Sequence, residues 1–269
     1  MKPAGTRKTF AKRSLGQNFL SDPFYINKII DAVAPGETDT IIEIGPGRGA
    51  LTERLVESGA RVIAIELDRD FVPILREKFA GQENFKVLED DALQIDFNSL
   101  ISNNSTFDIR HSKLVANLPY YISTAILQRL AEQRQCFSEL VLMFQKEVVD
   151  RITAEPENSD RGFLTVLVEA SFETEKLFDV PPEAFRPAPK VWSSVVKLKP
   201  KATEIPDLAA FRNIVSLAFA QKRKTILNNL KPHFDNAADA LTRANIDPSR
   251  RAETLTLAEW KSLVTRLSE

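Results

Sequence analysis

The sequence predicts an α/β fold in which a mostly parallel sheet is followed by a small all-helical domain. Apolar runs and helical patterns alternate up to about residue 145, which is the order that builds a parallel sheet. The run at residues 41–44 ends in a glycine-rich turn that opens into a helical pattern. After Pro200 the apolar residues recur only at helical spacing. We therefore expect a sheet domain over residues 1–202 and a helical domain over residues 203–269.

The individual elements follow from the period of the apolar residues. Strands are expected near residues 40–44, 61–66, 84–89, 112–117, 138–144, 172–180 and 191–198. Helices are expected near residues 23–33, 49–58, 70–79, 122–133 and 144–154. The last two strands are joined by a proline-rich loop without a helix, which indicates an antiparallel hairpin at the end of the sheet. In the tail, Thr256 and Glu259 have the spacing of a capping box that opens the final helical pattern.

The glycine-rich loop after the first predicted strand is typical of folds that hold a nucleoside cofactor. Gly45, Gly47 and Ala50 fit the loose dinucleotide pattern, and Glu66 stands at the end of the next strand. An acidic side chain there can accept hydrogen bonds from the ribose of either NAD or S-adenosylmethionine. Glu43 favours the second cofactor, because an anion beside the loop repels a pyrophosphate and suits a sulfonium and an α-amino group. The loop alone leaves open both cofactors and a tight turn without a ligand.

A second motif, Asn117-Leu118-Pro119-Tyr120, follows the fourth predicted strand. An adenine exocyclic amine is a poor nucleophile because its lone pair is delocalised into the ring. The Asn117 side chain and the Leu118 carbonyl can accept its two hydrogens, which favours a pyramidal nitrogen with a localised lone pair. Pro119 fixes the turn, and Tyr120 offers a ring on which a base can stack. Together with the glycine loop, this motif predicts methyl transfer to an amino group of a nucleobase.

These motifs and several others resemble those of the small-subunit ribosomal RNA adenine dimethyltransferases of the KsgA (RsmA) type, relatives of the erythromycin-resistance RNA methylases. The resemblance spans nearly the whole chain and implies a Rossmann-like S-adenosylmethionine-dependent methyltransferase sheet with a C-terminal helical domain. One departure is Ala125, where the family usually has a proline in the first turn of a helix. The matching segments are residues 15–20, 43–52, 65–68, 90–92, 117–122, 145–148, 181–191 and 218–225.

The resemblance implies that the chain methylates the exocyclic amine of two adjacent adenosines near the 3′ end of small-subunit ribosomal RNA, within the immature subunit. S-adenosyl-L-methionine would be the methyl donor. The catalytic residues implied are Asn117, Leu118, Pro119, Tyr120 and Phe185. The cofactor-binding residues implied are Asn18, Leu20, Gly45, Gly47, Glu66, Asp91 and Asn117. Glu66 and Asp91 also follow apolar runs, and carboxylates at the carboxyl ends of parallel strands face the ligand crevice.

Phe185 lies in the proline-rich loop of residues 181–189, which the resemblance places over the target base. An adenine turned out of its stack needs an apolar surface on both faces, and Tyr120 supplies only one. We expect the Phe185 ring to cover the other face. The alternative is that Phe185 fills the seam between the two domains.

Positive charge is concentrated in two segments, although the net charge of the chain is −1. Residues 1–25 carry five basic side chains against one acidic, and residues 186–232 carry ten against two. Residues 26–185 carry 16 basic and 28 acidic side chains. Basic segments of this kind suit a phosphate backbone, although a charged face is usually only solvated. The RNA-binding residues that we expect are Lys12, Arg13, Lys222, Arg223 and Lys224, with the last three on a helix.

The composition excludes several other classes of protein. Cys136 is the only cysteine, which excludes an intrachain disulfide and fits a reducing cytoplasm. His111 and His233 are the only histidines, so metal sites and Ser-His or Cys-His catalysis are poorly supplied, and no metal is expected. No apolar run approaches the length of a membrane span. We expect a cytoplasmic monomer.

Three alternative functions follow from the same residues. An erythromycin-resistance-type methylase of large-subunit RNA is disfavoured by Leu118 and by the loop of residues 181–191. A ribosome-assembly binding factor with vestigial catalysis is disfavoured by the intact glycine loop, Glu66, Asp91 and Asn117. An NAD oxidoreductase would need a set of hydride-transfer residues around the loop, which the sequence lacks.

Overall fold

The computed structural model describes residues 17–102, 112–118, 122–202, 205 and 207–269. The chain divides into two compact units. The first unit comprises Met1–Ile126, Gln135–Lys146 and Lys176–Leu198, and the second comprises Leu127–Arg134, Glu147–Glu175 and Lys199–Glu269.

Seven of the nine strands in the described residues form one sheet. The strands are β1 Phe19–Leu20, β2 Thr40–Ile44, β3 Arg61–Glu66, β4 Phe85–Glu89, β5 Ser112–Asn117, β6 Glu139–Gln145, β7 Phe172–Val180, β8 Phe185–Arg186 and β9 Ser193–Pro200. The sheet order is β4-β3-β2-β5-β6-β9-β7. Neighbours from β4 to β6 are parallel, and β9 is antiparallel to β6. The strand order reverses between β2 and β5, which is where ligands bind in open α/β sheets.

Helices connect the parallel strands, as the alternating pattern predicts. They are α1 Pro23–Val33, α2 Ala50–Glu57, α3 Val72–Lys78, α4 Phe97–Ser102, α5 Ser123–Glu132, α6 Lys146–Ile152, α7 Phe163–Ser171, α8 Leu208–Ala218, α9 Ile226–Leu230, α10 Ala237–Arg243 and α11 Leu257–Leu267. None of the described helices is long and apolar enough to cross a membrane. The predicted fold class, an α/β sheet with C-terminal helices, is confirmed.

Local sequence explains where the main helices begin. The Asp22 side chain accepts the Phe24 N–H and Pro23 occupies the first helical position, so α1 begins there. Asp207 caps α8 in the same way, by accepting the Ala210 N–H. The predicted capping box at α11 is present, because Thr256 and Glu259 each accept a backbone N–H from the other.

A separate two-stranded sheet holds the chain ahead of α1. In it β1 pairs antiparallel with β8, with Phe19 opposite Arg186 and Leu20 opposite Phe185. The Ser21 and Asp22 N–H groups both donate to the Ala184 carbonyl, at 2.9 and 3.2 Å. Segments that lie far apart in sequence are thereby fixed beside each other in the first unit. Neither two-residue strand was predicted.

The second unit has its own apolar core. Phe211, Leu241, Trp260 and Leu263 are fully buried in it, and Val166 of α7 packs with them. The helices after residue 207 are therefore grouped with α7, which the predicted boundary assigned to the sheet domain. The boundary at residues 202 and 203 stays a prediction.

Arg161 ties three segments of this second unit together from a position that is only 1% exposed. Its guanidinium donates to the Ala154 carbonyl at 3.1 Å and to the Leu255 carbonyl at 3.3 Å. It also pairs with the Glu169 carboxylate at 2.5 Å. The planar guanidinium carries five N–H groups in a fixed fork, so it can serve all three acceptors at once.

Candidate active site

Four of the predicted cofactor residues, Gly47 among them, line one cavity at the carboxyl edge of the sheet. Gly45 follows β2, Glu66 ends β3, and Asp91 lies just beyond β4. This cavity, which we call the glycine-loop cavity, has a volume of about 220 Å³. Its other lining residues are Gln17, Phe19, Ile44, Ile65, Leu67, Asp90, Ala92, Leu93 and Ile122.

Asn117, at the end of β5, lines a second cavity of about 200 Å³. We call it the Asn117 cavity. Phe19 lines both cavities, so the two lie side by side around its ring. The other residues of the Asn117 cavity are Leu20, Ser21, Glu43, Pro46, Arg48, Ala50, Leu51 and Arg186.

The glycines of the loop are needed for two reasons. Gly45 and Gly47 have φ values of 69° and 55°, which side chains rarely allow. A Cβ on Gly47 would also lie 2.9 Å from the Phe19 ring, closer than carbon atoms approach. The absence of a side chain at Gly47 therefore lets the Phe19 ring rest on the loop.

The Glu66 carboxylate is held rigidly at the wall of the glycine-loop cavity. One of its oxygens accepts the Gly47 N–H at 2.9 Å and the other accepts the Asp68 N–H at 2.8 Å. Burial raises the pKa of Glu66, against the opposing effect of these two hydrogen bonds. Each oxygen keeps a second lone pair, so the carboxylate can still accept hydrogen bonds from a ligand.

Asn117 is oriented by the backbone of Asn18. Its amide nitrogen donates to the Asn18 carbonyl at 3.2 Å. The amide oxygen is thereby turned away from Asn18, and among the described residues no donor reaches it. Asn18 thus supplies a main-chain oxygen that fixes the orientation of the Asn117 amide.

Of the other members of the Asn117–Tyr120 motif, only Leu118 belongs to the described residues. The Leu118 N–H donates to the Met143 carbonyl at 3.3 Å, and the Leu118 side chain is buried. Pro119 and Tyr120 lie outside the described residues. Leu20, a predicted cofactor residue, is buried and lines the Asn117 cavity instead of the glycine-loop cavity.

Phe185 does not occupy the position that we expected. Its side chain is 1% exposed and packs in the core of the first unit with Leu20, Val180 and Ala184. Both faces of its ring are therefore covered in this conformation, and it offers no surface to a base. The alternative of a plug at the domain seam is not supported either, because these neighbours all belong to the first unit.

Gln17 and Leu67 are among the residues of the glycine-loop cavity that the sequence reasoning missed. The Gln17 amide donates to the Asp68 carboxylate at 2.9 Å, which fixes the segment before β1. Leu67 is 49% exposed, unusual for a leucine beside a buried strand. Leu67 could have been predicted from its place directly after Glu66, because the residue that follows an acidic residue at the end of a strand also faces the crevice.

Glu43 is a buried carboxyl in the wall of the Asn117 cavity. It is 2% exposed and accepts the Thr52 hydroxyl at 2.6 Å. Burial raises the pKa of Glu43 to about 7, and the nearby Glu66 charge adds to the effect. The Thr52 hydrogen bond and the charge of Lys78 act in the opposite direction. Glu43 can therefore change its charge near neutral pH.

Replacing Glu43 with glutamine is expected to remove a pH dependence of stability. The pKa of Glu43 is higher in the folded protein, so its stabilising contribution is complete below about pH 4.5 and is lost as the pH rises to about 7. Glutamine keeps an acceptor for Thr52 and carries no charge. The free energy of unfolding of Glu43→Gln, relative to wild type, should therefore rise by up to about 3 kcal/mol between pH 5 and pH 8.

Urea unfolding at several pH values measures this difference. Glu53→Gln is the control, because Lys78 lowers the pKa of that carboxyl and its contribution should change with pH in the opposite direction. A difference between Glu43→Gln and wild type that does not vary with pH would refute the charge change at Glu43.

The predicted basic cluster lies on a turn and not on a helix. Residues 221–224 connect α8 to α9, because α8 ends at Ala218 and the next helix begins only at Ile226. The Lys222 ammonium donates to the Ser159 carbonyl at 2.6 Å. Arg223 and Lys224 are exposed and have no ion pair within the described part of the chain. Lys12 and Arg13 lie outside the described residues.

The family model described as ribosomal RNA adenine dimethylase matches residues 9–269 of the chain. The chain belongs to this family. Among curated relatives, the ribosomal RNA small subunit methyltransferase A of Hahella chejuensis is 44% identical over 254 residues, which cover 93% of this chain and 90% of the relative. The protein of the same name from Aromatoleum aromaticum is 42% identical over 261 residues, covering 96% and 94%.

Two solved structures resemble this adenine dimethylase. A dimethyladenosine transferase from Plasmodium falciparum is 28% identical with a TM-score of 0.77, covering 91% of this chain and 95% of that one. The 23S rRNA methyltransferase ErmE is 25% identical with a TM-score of 0.67, covering 94% and 100%. The family resemblance inferred from the sequence motifs is confirmed.

Proposed function

We propose that this adenine dimethylase transfers methyl groups from S-adenosylmethionine to the exocyclic amine of two adjacent adenosines near the 3′ end of small-subunit ribosomal RNA. Dimethylation of ribosomal RNA adenine is the activity of the family to which the chain belongs. The small subunit is taken from the names of the relatives. The observation that carries the proposal is the Asn117 amide, whose oxygen is left as an acceptor beside the glycine-loop cavity.

The glycine-loop cavity has donors and acceptors that suit S-adenosylmethionine. Glu66 presents two fixed oxygens, which match the two hydroxyl groups of a ribose. Asp91 would accept the adenine amine, and Ile65, Leu67 and Ala92 give the cavity apolar walls. When bound, S-adenosylmethionine supplies a methyl group that its sulfonium charge makes electrophilic. Gly45 and Gly47 would let the backbone approach it closely.

Replacing Glu66 with alanine is expected to weaken S-adenosylmethionine binding by about 1.5–3 kcal/mol, the strength of hydrogen bonds to a charged group. Among the described residues, Glu66 is the only carboxylate of this cavity that two backbone N–H groups hold in place. The substitution removes this carboxylate. Titration calorimetry of the folded variant measures the change. Asp70→Ala is the matched control and should bind normally, since Asp70 is an exposed carboxylate beyond the end of the same strand and does not line the cavity. Unchanged affinity in Glu66→Ala would exclude Glu66 from the ribose site.

The chemistry that we propose for Asn117 is activation of the nucleophile. Its amide oxygen would accept one hydrogen of the adenine amine, and the Leu118 carbonyl would accept the other. Both contacts favour a pyramidal nitrogen with a localised lone pair. No strong base is required, because the nitrogen becomes acidic once it is alkylated. The Asn18 carbonyl contributes by holding the Asn117 amide in the orientation that presents its oxygen.

For RNA binding we propose Arg223 and Lys224, together with Lys12 and Arg13. Both Arg223 and Lys224 are exposed on the turn after α8. Lys222 would contribute less, because its ammonium is already bound to the Ser159 carbonyl. Basic side chains of this kind hold a phosphate backbone without reading its sequence. We propose the immature small subunit as the substrate particle and a monomer as the active form.

One experiment separates this function from its alternatives. Wild type and Asn117→Ala are incubated with labelled S-adenosylmethionine and with immature small subunits, large subunits or protein-free ribosomal RNA. Label in dimethyladenosine of the small subunit, formed far more slowly with Asn117→Ala, is the expected result. Label in large subunits alone would identify a resistance-type methylase. Binding of small subunits without label would identify an assembly factor that has lost catalysis.

A further inference from the structure

Trp192 is a half-exposed tryptophan beside the candidate active site. It is 51% exposed, and its neighbour Val191 is 44% exposed. In the described part of the chain only Phe24 and Leu67 are large apolar residues of similar exposure. Leu67 lines the glycine-loop cavity. Phe24 contacts the Tyr25 ring and the Lys28 ammonium. Trp192 has no ring or cation partner within the described residues.

The sheet register places Trp192 close to Asn117. Asn117 is opposite Met143 of β6, and Met143 is opposite Val195 of β9, so Val195 lies level with Asn117 two strands away. Trp192 stands three residues further along, just beyond the carboxyl edge of the sheet. Strand spacing and rise per residue put its Cα roughly 14 Å from that of Asn117. A nucleotide close in sequence to the target adenosine can span this distance.

The backbone at Trp192 is fixed. Its carbonyl accepts the Lys146 N–H at 2.9 Å, and the next residue, Ser193, pairs with Gln145 in the sheet. An aromatic side chain has few rotatable bonds, so a ring on a fixed backbone loses little conformational entropy on binding. The ring is therefore held near the edge of the sheet, where a base can stack on it.

The charges around the loop suit a nucleic acid. Residues 186–192 contain two basic side chains, Arg186 and Lys190, and no acidic one. Arg186 also lines the Asn117 cavity, so the basic loop starts at that cavity and ends at Trp192. Nearby, Lys146 is balanced by Asp179 at 4.0 Å. An RNA strand that leaves the Asn117 cavity would follow the loop of residues 186–192 to the indole ring of Trp192.

We propose that Trp192 stacks on a nucleotide flanking the target adenosine and so helps to present that adenosine to Asn117. This inference rests on the proposed function. Base stacking on an aromatic side chain tolerates any base, and its loss weakens binding on the order of tenfold. Trp192 is thus a positioning residue, and it contacts neither the reacting nitrogen nor the methyl donor.

The first test is kinetic. Trp192→Ala should raise the KM for immature small subunits on the order of tenfold, with S-adenosylmethionine affinity and melting temperature unchanged. Trp192→Phe should restore most of the loss, because a phenyl ring can still stack. Val191→Ala is the matched control, since it removes a similarly exposed side chain without a ring and should leave KM unchanged. An unchanged KM in Trp192→Ala, or an equal rise in Val191→Ala, would overturn the proposal while leaving methylation by the wild type intact.

The second test uses fluorescence, because the chain has only two tryptophans. Trp260 is fully buried, whereas Trp192 is accessible. Hexa-adenylate should quench the emission of the wild type, and Trp192→Phe should show no quenching. If Trp192→Ala raised KM for subunits but hexa-adenylate left the emission unchanged, Trp192 would contact a protein of the particle, and the RNA assignment would be wrong.

Discussion

Replacing Asn117 with alanine is expected to lower the rate of methylation at saturating substrate by about 10²–10³-fold, the loss seen when one preorganised hydrogen bond to a transition state is removed. The physical reason is that the amide oxygen gains strength as an acceptor while the adenine nitrogen pyramidalises. Such an interaction lowers kcat and leaves substrate affinity nearly unchanged. Single-turnover kinetics with bound small subunits measure the effect.

Asn117→Asp is the informative companion variant. Aspartate keeps an oxygen acceptor of the same shape but cannot donate to the Asn18 carbonyl, which orients the native amide. Its rate should therefore fall between those of wild type and Asn117→Ala. If both variants bound RNA weakly and turned over normally once saturated, Asn117 would position the RNA, and the activation argument would fail.

Replacing Arg161 with alanine is expected to reduce the free energy of unfolding by about 3–5 kcal/mol, the cost of breaking a buried ion pair by removing one partner. The Ala154 and Leu255 carbonyls would lose their donor, and the partly buried Glu169 carboxylate would lose its counter-charge. Urea unfolding followed by Trp260 emission reports on the second unit, since Trp260 lies in its core. Carrying the change in a Trp192→Phe background removes the other tryptophan signal.

Arg243→Ala provides the matched control for Arg161. Arg243 pairs with Asp239 and with Glu269 on the surface, with 41% of its side chain exposed. Surface pairs contribute at most about 1 kcal/mol, so this variant should unfold close to wild type. If Arg161→Ala and Arg243→Ala lost the same free energy of unfolding, burial of the Arg161 contacts would contribute nothing to stability.

The strands and helices of the sheet could be predicted because their apolar periods are clear. The predicted strands near residues 61–66 and 112–117 match β3 and β5 residue for residue. Helix α7 was missed, since its sequence is buried on nearly every side and shows no 3.6-residue period. The strands β1 and β8 have two residues each, which is too short for any period, and only tertiary pairing defines them.

The site residues that could be predicted from the sequence are those whose location follows from their position at the end of a strand. Gly45, Glu66 and Asp91 each follow an apolar run, and parallel strands bring such positions to one edge. Phe185 was misplaced because a loop sequence does not reveal whether a ring faces a ligand or the core. The orientation of the Asn117 amide was equally inaccessible, since it depends on a carbonyl 99 positions away.

The pairing of β1 with β8 also sets the order in which the protein can mature during its own synthesis. Phe19 lines both cavities and leaves the ribosome before its partner Arg186, which follows only after 166 further residues. Contacts between such distant segments form late, because the intervening chain must first be available to close the loop. The central strands can assemble around the glycine loop on the nascent chain while the wall formed by Phe19 and Arg186 is still incomplete. The enzyme therefore completes the wall of its substrate pocket only after strands β2 to β6 have been synthesised.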